Sequence, residues 1–168
     1  MSRTMTRPQS NPGAFWMALT VAFVLTALVV FGATAANAGC PADQVTTTDG
    51  QKNASKGTKD GTDELLGQID LSKEKVKVPG RLFRFRRLVI EPGGEVPWHN
   101  HDDRPALIYI VSGTITEYSS HCKVPIEHKA GDLSLESGGL SHWWKNSSSE
   151  PTVLVAADLA KNPDDDGM

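Results

Sequence analysis

The chain has 168 residues, 39% of them hydrophobic and 22% charged, and a formal net charge of −3. This composition suits one ordinary globular domain and excludes a collagen-like, largely disordered or multi-span membrane protein. With a slight acidic excess and no long basic stretch, there is no electrostatic footprint for nucleic acid, and no such partner is expected.

Pro8 to Ala42 carries no Asp, Glu, Lys, Arg or His, and Ala14 to Ala33 within it is almost continuously apolar behind Arg3 and Arg7. This is the layout of an export signal, and Ala36-Asn37-Ala38 offers the small residues a signal peptidase accommodates. Residues 1–38 are therefore expected to be removed, leaving a soluble chain in the periplasm or outside the cell whose only membrane contact was its signal. Two other outcomes stand beside this one. Twenty apolar residues are long enough to remain as an anchor, and Ala38-Gly39-Cys40 is similar to a lipoprotein signal, although Asn37 stands where that pattern has an aliphatic residue. No arginine pair points to export of a folded protein. Cleavage removes two arginines and no acid, so the formal charge falls from −3 to −5. Cys40 and Cys122 remain, and in an oxidising compartment an even pair reads as a disulfide tying the N-terminus to the domain.

Pro41 to Asp63 is rich in Thr, Asp, Lys, Gly and Ser and has little to bury, which predicts a mostly irregular arm within residues 39–79. Glu64 to Leu71 reads equally as a helical turn or a first edge strand. Beyond Pro79-Gly80, Leu82 to Ile90 alternates as a strand, with Phe83, Phe85 and Val89 on one face. Further strands are expected at Trp98–His101, Ala106–Val111, Thr114–Tyr118, Val124–His128, Asp132–Glu136, Trp143–Asn146 and Thr152–Asp158. Turns at Glu91-Pro92-Gly93-Gly94, Ser112-Gly113, Ala130-Gly131 and Ser137-Gly138-Gly139 separate several of them. Many short strands without a long helix predict an all-β sandwich or barrel over residues 80–158. Residues 159–168 form an acidic tail whose end, Asn162 to Met168, reads as solvated.

His99 and His101 are two apart, so a strand points both rings to one face, and paired neutral imidazoles suit a first-row divalent cation. Gly93, His99, His101 and Gly113, followed by Gly131, Gly139, His142 and Asn146, resemble the two motifs of the cupin superfamily; Ser137 replaces the second motif's proline. The resemblance covers about residues 80–158. It implies a single antiparallel jelly-roll β-barrel, commonly paired into a homodimer, with His99, His101 and His142 as metal ligands. At the position of the motif's metal-binding glutamate stands Ala106, where no carboxylate can bind. The remaining set is similar to the three-histidine iron site of some cupin dioxygenases. Asp102, Asp103 and Glu91 are candidate fourth ligands, with a solvated turn the commoner place for Asp102 and Asp103.

Three neutral ligands leave the charge of the ion uncompensated and favour an anionic additional ligand, and the open positions suit catalysis. The ion is iron, zinc, manganese or copper. The bland reading of the same histidines is a decayed site kept for packing. Trp144 shares a face with His142, opposite Trp143, and with Tyr109 and Phe85 is a candidate lining for an apolar pocket or ordinary packing. Arg84, Arg86 and Arg87 read as an anion clamp or a solvated face. Arg104, preceding Pro105 beside the first motif, is the candidate substrate-orienting cation. His121 and His128 lie outside both motifs and read as surface or satisfied residues. Two functions fit: a metal-dependent enzyme on a small organic molecule, for which an oxygenase is one candidate, and a non-catalytic module that binds or senses a small ligand. A ligand-free structural barrel is the third.

Overall fold

A computed structural model of the protein describes residues 39–47, 51 and 52, and 57–161; the expected signal segment and the end of the acidic tail lie outside these residues. Eight strands and no helix occur among the described residues: β1 (Lys59–Asp70), β2 (Leu82–Asn100), β3 (Ala106–Ser112), β4 (Thr114–Ser119), β5 (Ile126–Lys129), β6 (Leu133–Glu136), β7 (Ser141–Lys145) and β8 (Thr152–Ala160). All pairings are antiparallel, in the order β5-β4-β7-β2-β8-β3-β6, with β1 on the flank of β2. The result is the nearly closed, all-β jelly-roll barrel expected.

The 19-residue β2 belongs to both layers. Its first half pairs with β8 and β1, Phe85 opposite Ala157 and Gly67, while its second half pairs with β7, His99 opposite His142. Glu91-Pro92-Gly93-Gly94 was expected to end a strand; the chain instead bends there and remains extended. Its backbone groups find partners from outside the sheet. Asn146, fully buried, donates from Nδ2 to the Ile90 carbonyl at 2.9 Å and exchanges backbone bonds with Gly93 and Gly94. A Cβ on Gly94 would lie 2.5 Å from the Asp60 carbonyl, so only glycine lets β1 pass this corner.

β1 settles the uncertain segment as a strand that begins at Lys59, earlier than the composition suggested, because the β2 edge supplies the backbone partners that its poor apolar content does not. β8 likewise runs two residues past Asp158. The barrel interior holds Leu88, Ile90, Val96, Ile108, Ile110, Ile115 and Leu154. Each buried aliphatic contributes about 1.5–3 kcal/mol.

The inward face of the first half of β2 differs from the simplest expectation. Arg84 and Arg86 point inward, while Phe83 and Phe85 are 41% and 45% exposed on the outside. The buried arginines converge on Asp158 of β8: Arg84 donates from Nε at 3.0 Å and Nη2 at 2.9 Å, Arg86 from Nη2 at 3.1 Å and Arg104 from Nη1 at 3.4 Å. A buried charge persists only when paired, and each of these guanidiniums is paired with Asp158. Arg87, on the opposite face, meets Glu64 at 2.7 Å.

Residues 44–47, 51 and 52 lie against the outside of the other layer. Val45 bridges Cys122, the Trp143 indole donates to the Gln51 carbonyl at 2.7 Å, and Lys52 lies over Trp98. The Cys40–Cys122 disulfide, as expected, pins this segment at its start. A sulfur in this bridge has no valence left for a lipid.

Candidate metal centre

The bulge in the β2–β7 pairing between Val96 and His99 turns the end of β2 so that His99 and His101 both reach the interior, their ring centroids 4.8 Å apart. His142 enters from β7. Its Nε2 lies 3.2 Å from His99 Nε2 and 3.1 Å from His101 Nε2. Each ring is aimed from behind. His99 Nδ1–H donates to the Pro97 carbonyl and His101 Nδ1–H to the Arg104 carbonyl, both at 2.8 Å; His142 Nδ1–H donates to Glu117 Oε1, also at 2.8 Å. Because these partners only accept, they hold the protons on Nδ1 and leave the Nε2 lone pairs facing the centre.

The fourth donor corrects the three-histidine expectation. Glu136 on β6 places Oε2 3.1 Å from His101 Nε2 and Oε1 3.5 Å from His142 Nε2. Glu136 is the cross-strand partner of Ala106. Paired residues share a face, so the carboxylate missing from β3 is present one strand over. Glu91, Asp102 and Asp103, the candidates proposed from sequence, are exposed and outside the cluster. Asp103 instead pairs with Arg81 and Lys161 at the surface.

His99, His101, Glu136 and His142 offer four donor atoms within 4.8 Å of one another. Donors about 2.1 Å from a shared ion sit about 3–3.4 Å apart, which matches the closest separations here. Glu136 Oε1 is buried without a hydrogen bond. Three inward lone pairs and a buried carboxylate oxygen without a hydrogen bond are donors of the kind a first-row divalent cation takes, so these residues fit a divalent metal. Burial disfavours positive charge on His142, yet Glu136 and Glu117 outweigh it and raise its pKa above the ordinary value.

The other shifts give the metal-free protein a signed response to acid. Burial first, then the His142 charge, lowers His99 to about 2 and His101 to about 4. Below the ordinary 6.5 the unfolded chain therefore takes up protons the fold excludes, and stability falls with pH. Burial works to raise Glu117, but hydrogen bonds from His128 and His142 outweigh it and hold the group at about 2. Its contribution is present above 4.5 and is lost as pH falls toward 2. Glu136, pushed up to about 7 by burial, acts oppositely between 4.5 and 7. His142, raised, has its contribution almost fully in place below 6.5, so His99 and His101 outweigh Glu136 across this window, and chelator-treated protein is expected to show a melting temperature that drops as pH goes from 6.5 to 4. A flat or rising series would contradict these assignments.

A cavity of about 20 Å³ adjoins the cluster, with room for about one water. Arg86, Arg104, Leu88, Val96 and Trp144 line it beside His99, His101 and Glu136. Arg104 lines this cavity, and Asp158 shares its charge. Trp144 faces inward and Trp143 outward, as expected. Phe85 and Tyr109 do not line the cavity; both are on the outer surface, because Arg84 and Arg86 claim the inward positions of β2 and Ile108 and Ile110 those of β3. His121 is exposed, and His128 is a buried, partnered residue.

Residues 86–158 match the family model described as a cupin domain. This matched segment, from Arg86 on β2 to Asp158 on β8, is a cupin domain. Among solved structures it is similar to a double-stranded β-helix domain protein from Klebsiella pneumoniae, at 19% identity, 70% of this chain, 90% of that one and a TM-score of 0.47. A cupin 2 conserved barrel domain protein from Salinispora arenicola gives 19%, 63%, 80% and 0.46 in the same order. A predicted oxalate decarboxylase from Thermotoga maritima gives 18%, 57%, 91% and 0.42. No curated protein matches the chain.

Proposed function

We propose that the protein is an exported cupin that holds a divalent ion through His99, His101, Glu136 and His142 and acts on a small anionic organic molecule. The observation that carries this reading is the convergence of four donors, three of them on buried residues and His99 half-buried, beside two guanidiniums in one cavity. Iron, manganese, zinc and copper all accept imidazole and carboxylate donors, and a chain that folds after export selects among them outside the cytoplasm. When bound, the ion supplies Lewis acidity toward a substrate, water or oxygen. The protein's own residues do the rest. Arg104 and Arg86 attract and orient an anion, Leu88, Val96 and Trp144 exclude water, and Glu117 holds the His142 ring in place.

The small cavity favours a second reading, a binding or sensing module for a minimal anion, in which saturable affinity persists without turnover. Pairing of two copies through the exposed outer sheet is part of the proposal.

The test is elemental mass spectrometry on protein recovered from the exported fraction, with its N-terminus read as Gly39, beside a His99→Ala/His101→Ala variant. Near-stoichiometric metal in the first and none in the second is the expected result. Folded protein that contains no metal and takes up none on reconstitution would overturn the reading.

A further inference from the structure

Behind the metal cluster stands a second buried histidine that neither motif contains. Glu117 of β4 accepts from His142 Nδ1 through Oε1 at 2.8 Å and from His128 Nε2 through Oε2 at 2.9 Å. Both contacts are shielded from water, since His128 and His142 are fully buried and Glu117 nearly so. The His128 ring packs against Trp144 at 4.6 Å, and Trp144 meets the edge of His142 at 5.6 Å. His128, Glu117, His142 and Trp144 thus form a closed group spanning β4, β5 and β7.

Packing alone does not explain a histidine at position 128. Its Nδ1 is buried without a hydrogen-bond partner, a penalty that an aromatic hydrocarbon of similar shape would not incur. What the imidazole provides is the Nε2–H that fixes the outer oxygen of Glu117. A carboxylate held at both ends cannot rotate away from His142. Its negative charge therefore stays aligned with the ring, making His142 Nε2 a stronger and better aimed donor.

We propose that His128 is a positioning residue for the metal centre, acting through Glu117 to set the orientation and donor strength of His142. This inference rests on the metal reading above. Removal of such outer partners weakens metal binding by about 10–100-fold. His128→Phe keeps the aromatic volume and loses the donor, whereas His128→Gln places an amide N–H near the position of Nε2. Glu117→Gln removes the charge and preserves the shape.

The experiment is titration with Co(II) alone, the affinity read by competition with a chromophoric chelator and the ligand field by visible absorption. The wild type is expected to bind with a defined band. His128→Phe and Glu117→Gln should bind at least about tenfold more weakly with a displaced band, and His128→Gln should return to within about threefold of the wild type with the band restored. If His128→Phe fails to fold, His128→Leu, which likewise removes the Nε2–H donor, takes its place in the same readouts. A folded His128→Phe that matches the wild type in affinity and band overturns the inference and leaves the metal reading intact, as does a Glu117→Gln that matches it. A wild type that binds no Co(II) overturns both.

Discussion

Glu136→Ala is expected to lower metal affinity by at least about 100-fold, and adding Ala106→Glu to that variant is expected to recover most of the loss. Ala106 and Glu136 are directly paired, and both side chains point into the barrel. The double variant moves the carboxylate from β6 to β3 without changing the number of buried charges. Alanine at 136 vacates the volume the longer side chain at 106 requires. Competition titrations on the wild type, single and double variants measure the effect. If the double variant binds no better than Glu136→Ala, the carboxylate is not interchangeable between the two strands. If Glu136→Ala itself binds normally, Glu136 is not a ligand.

Asp158→Ala is expected to cost about 3–5 kcal/mol of stability, because it leaves buried guanidiniums without their shared anion. Arg84, Arg86 and Arg104 all donate to this carboxylate, and its side chain is 0% exposed. Burial works to raise its pKa, yet the Arg84 hydrogen bonds and the surrounding positive charge outweigh it and hold the group below the ordinary value. Asp158→Asn keeps the shape but not the charge and should lose a comparable amount. Urea midpoints of metal-free proteins give the comparison. A loss under about 1 kcal/mol for both variants would place these arginines among weakly coupled surface pairs, contrary to the geometry.

His99 and His101 were legible in the sequence because their spacing places both on one face of a strand, and His142 was legible through the resemblance of the second motif. Glu136 was not, because a donor on the neighbouring strand has no fixed separation from His99 or His142. Its local signal was nevertheless present. In Asp132-Leu-Ser-Leu-Glu136 the polar residues alternate with leucines, and the polar ones face inward: Glu136 is 2% exposed and Leu135 is 53%. The same inversion occurs in β2, with Arg84 and Arg86 inside and Phe83 and Phe85 outside. Reading the apolar face as the buried one misplaces both strands, because the interior here holds paired charges and a donor cluster. In β7 simple alternation held, and Trp144 and Trp143 were assigned correctly to the inward and outward faces. Tyr109 was misassigned because the outer sheet is itself apolar. The start of β1 was hidden because edge pairing, rather than burial, forms it.

Residues 44–47, 51 and 52 lie against one side of the sandwich, and none of the described residues outside the sheet covers the apolar side chains of the other. Trp98 and Trp143 lie under these residues, while Phe83, Phe85, Leu107, Tyr109 and Leu135 face solvent on the opposite layer. A particle with one adhesive side has a valence of one. If two copies met through these sides, each would cover the other's apolar layer, and association by this route would close at a pair.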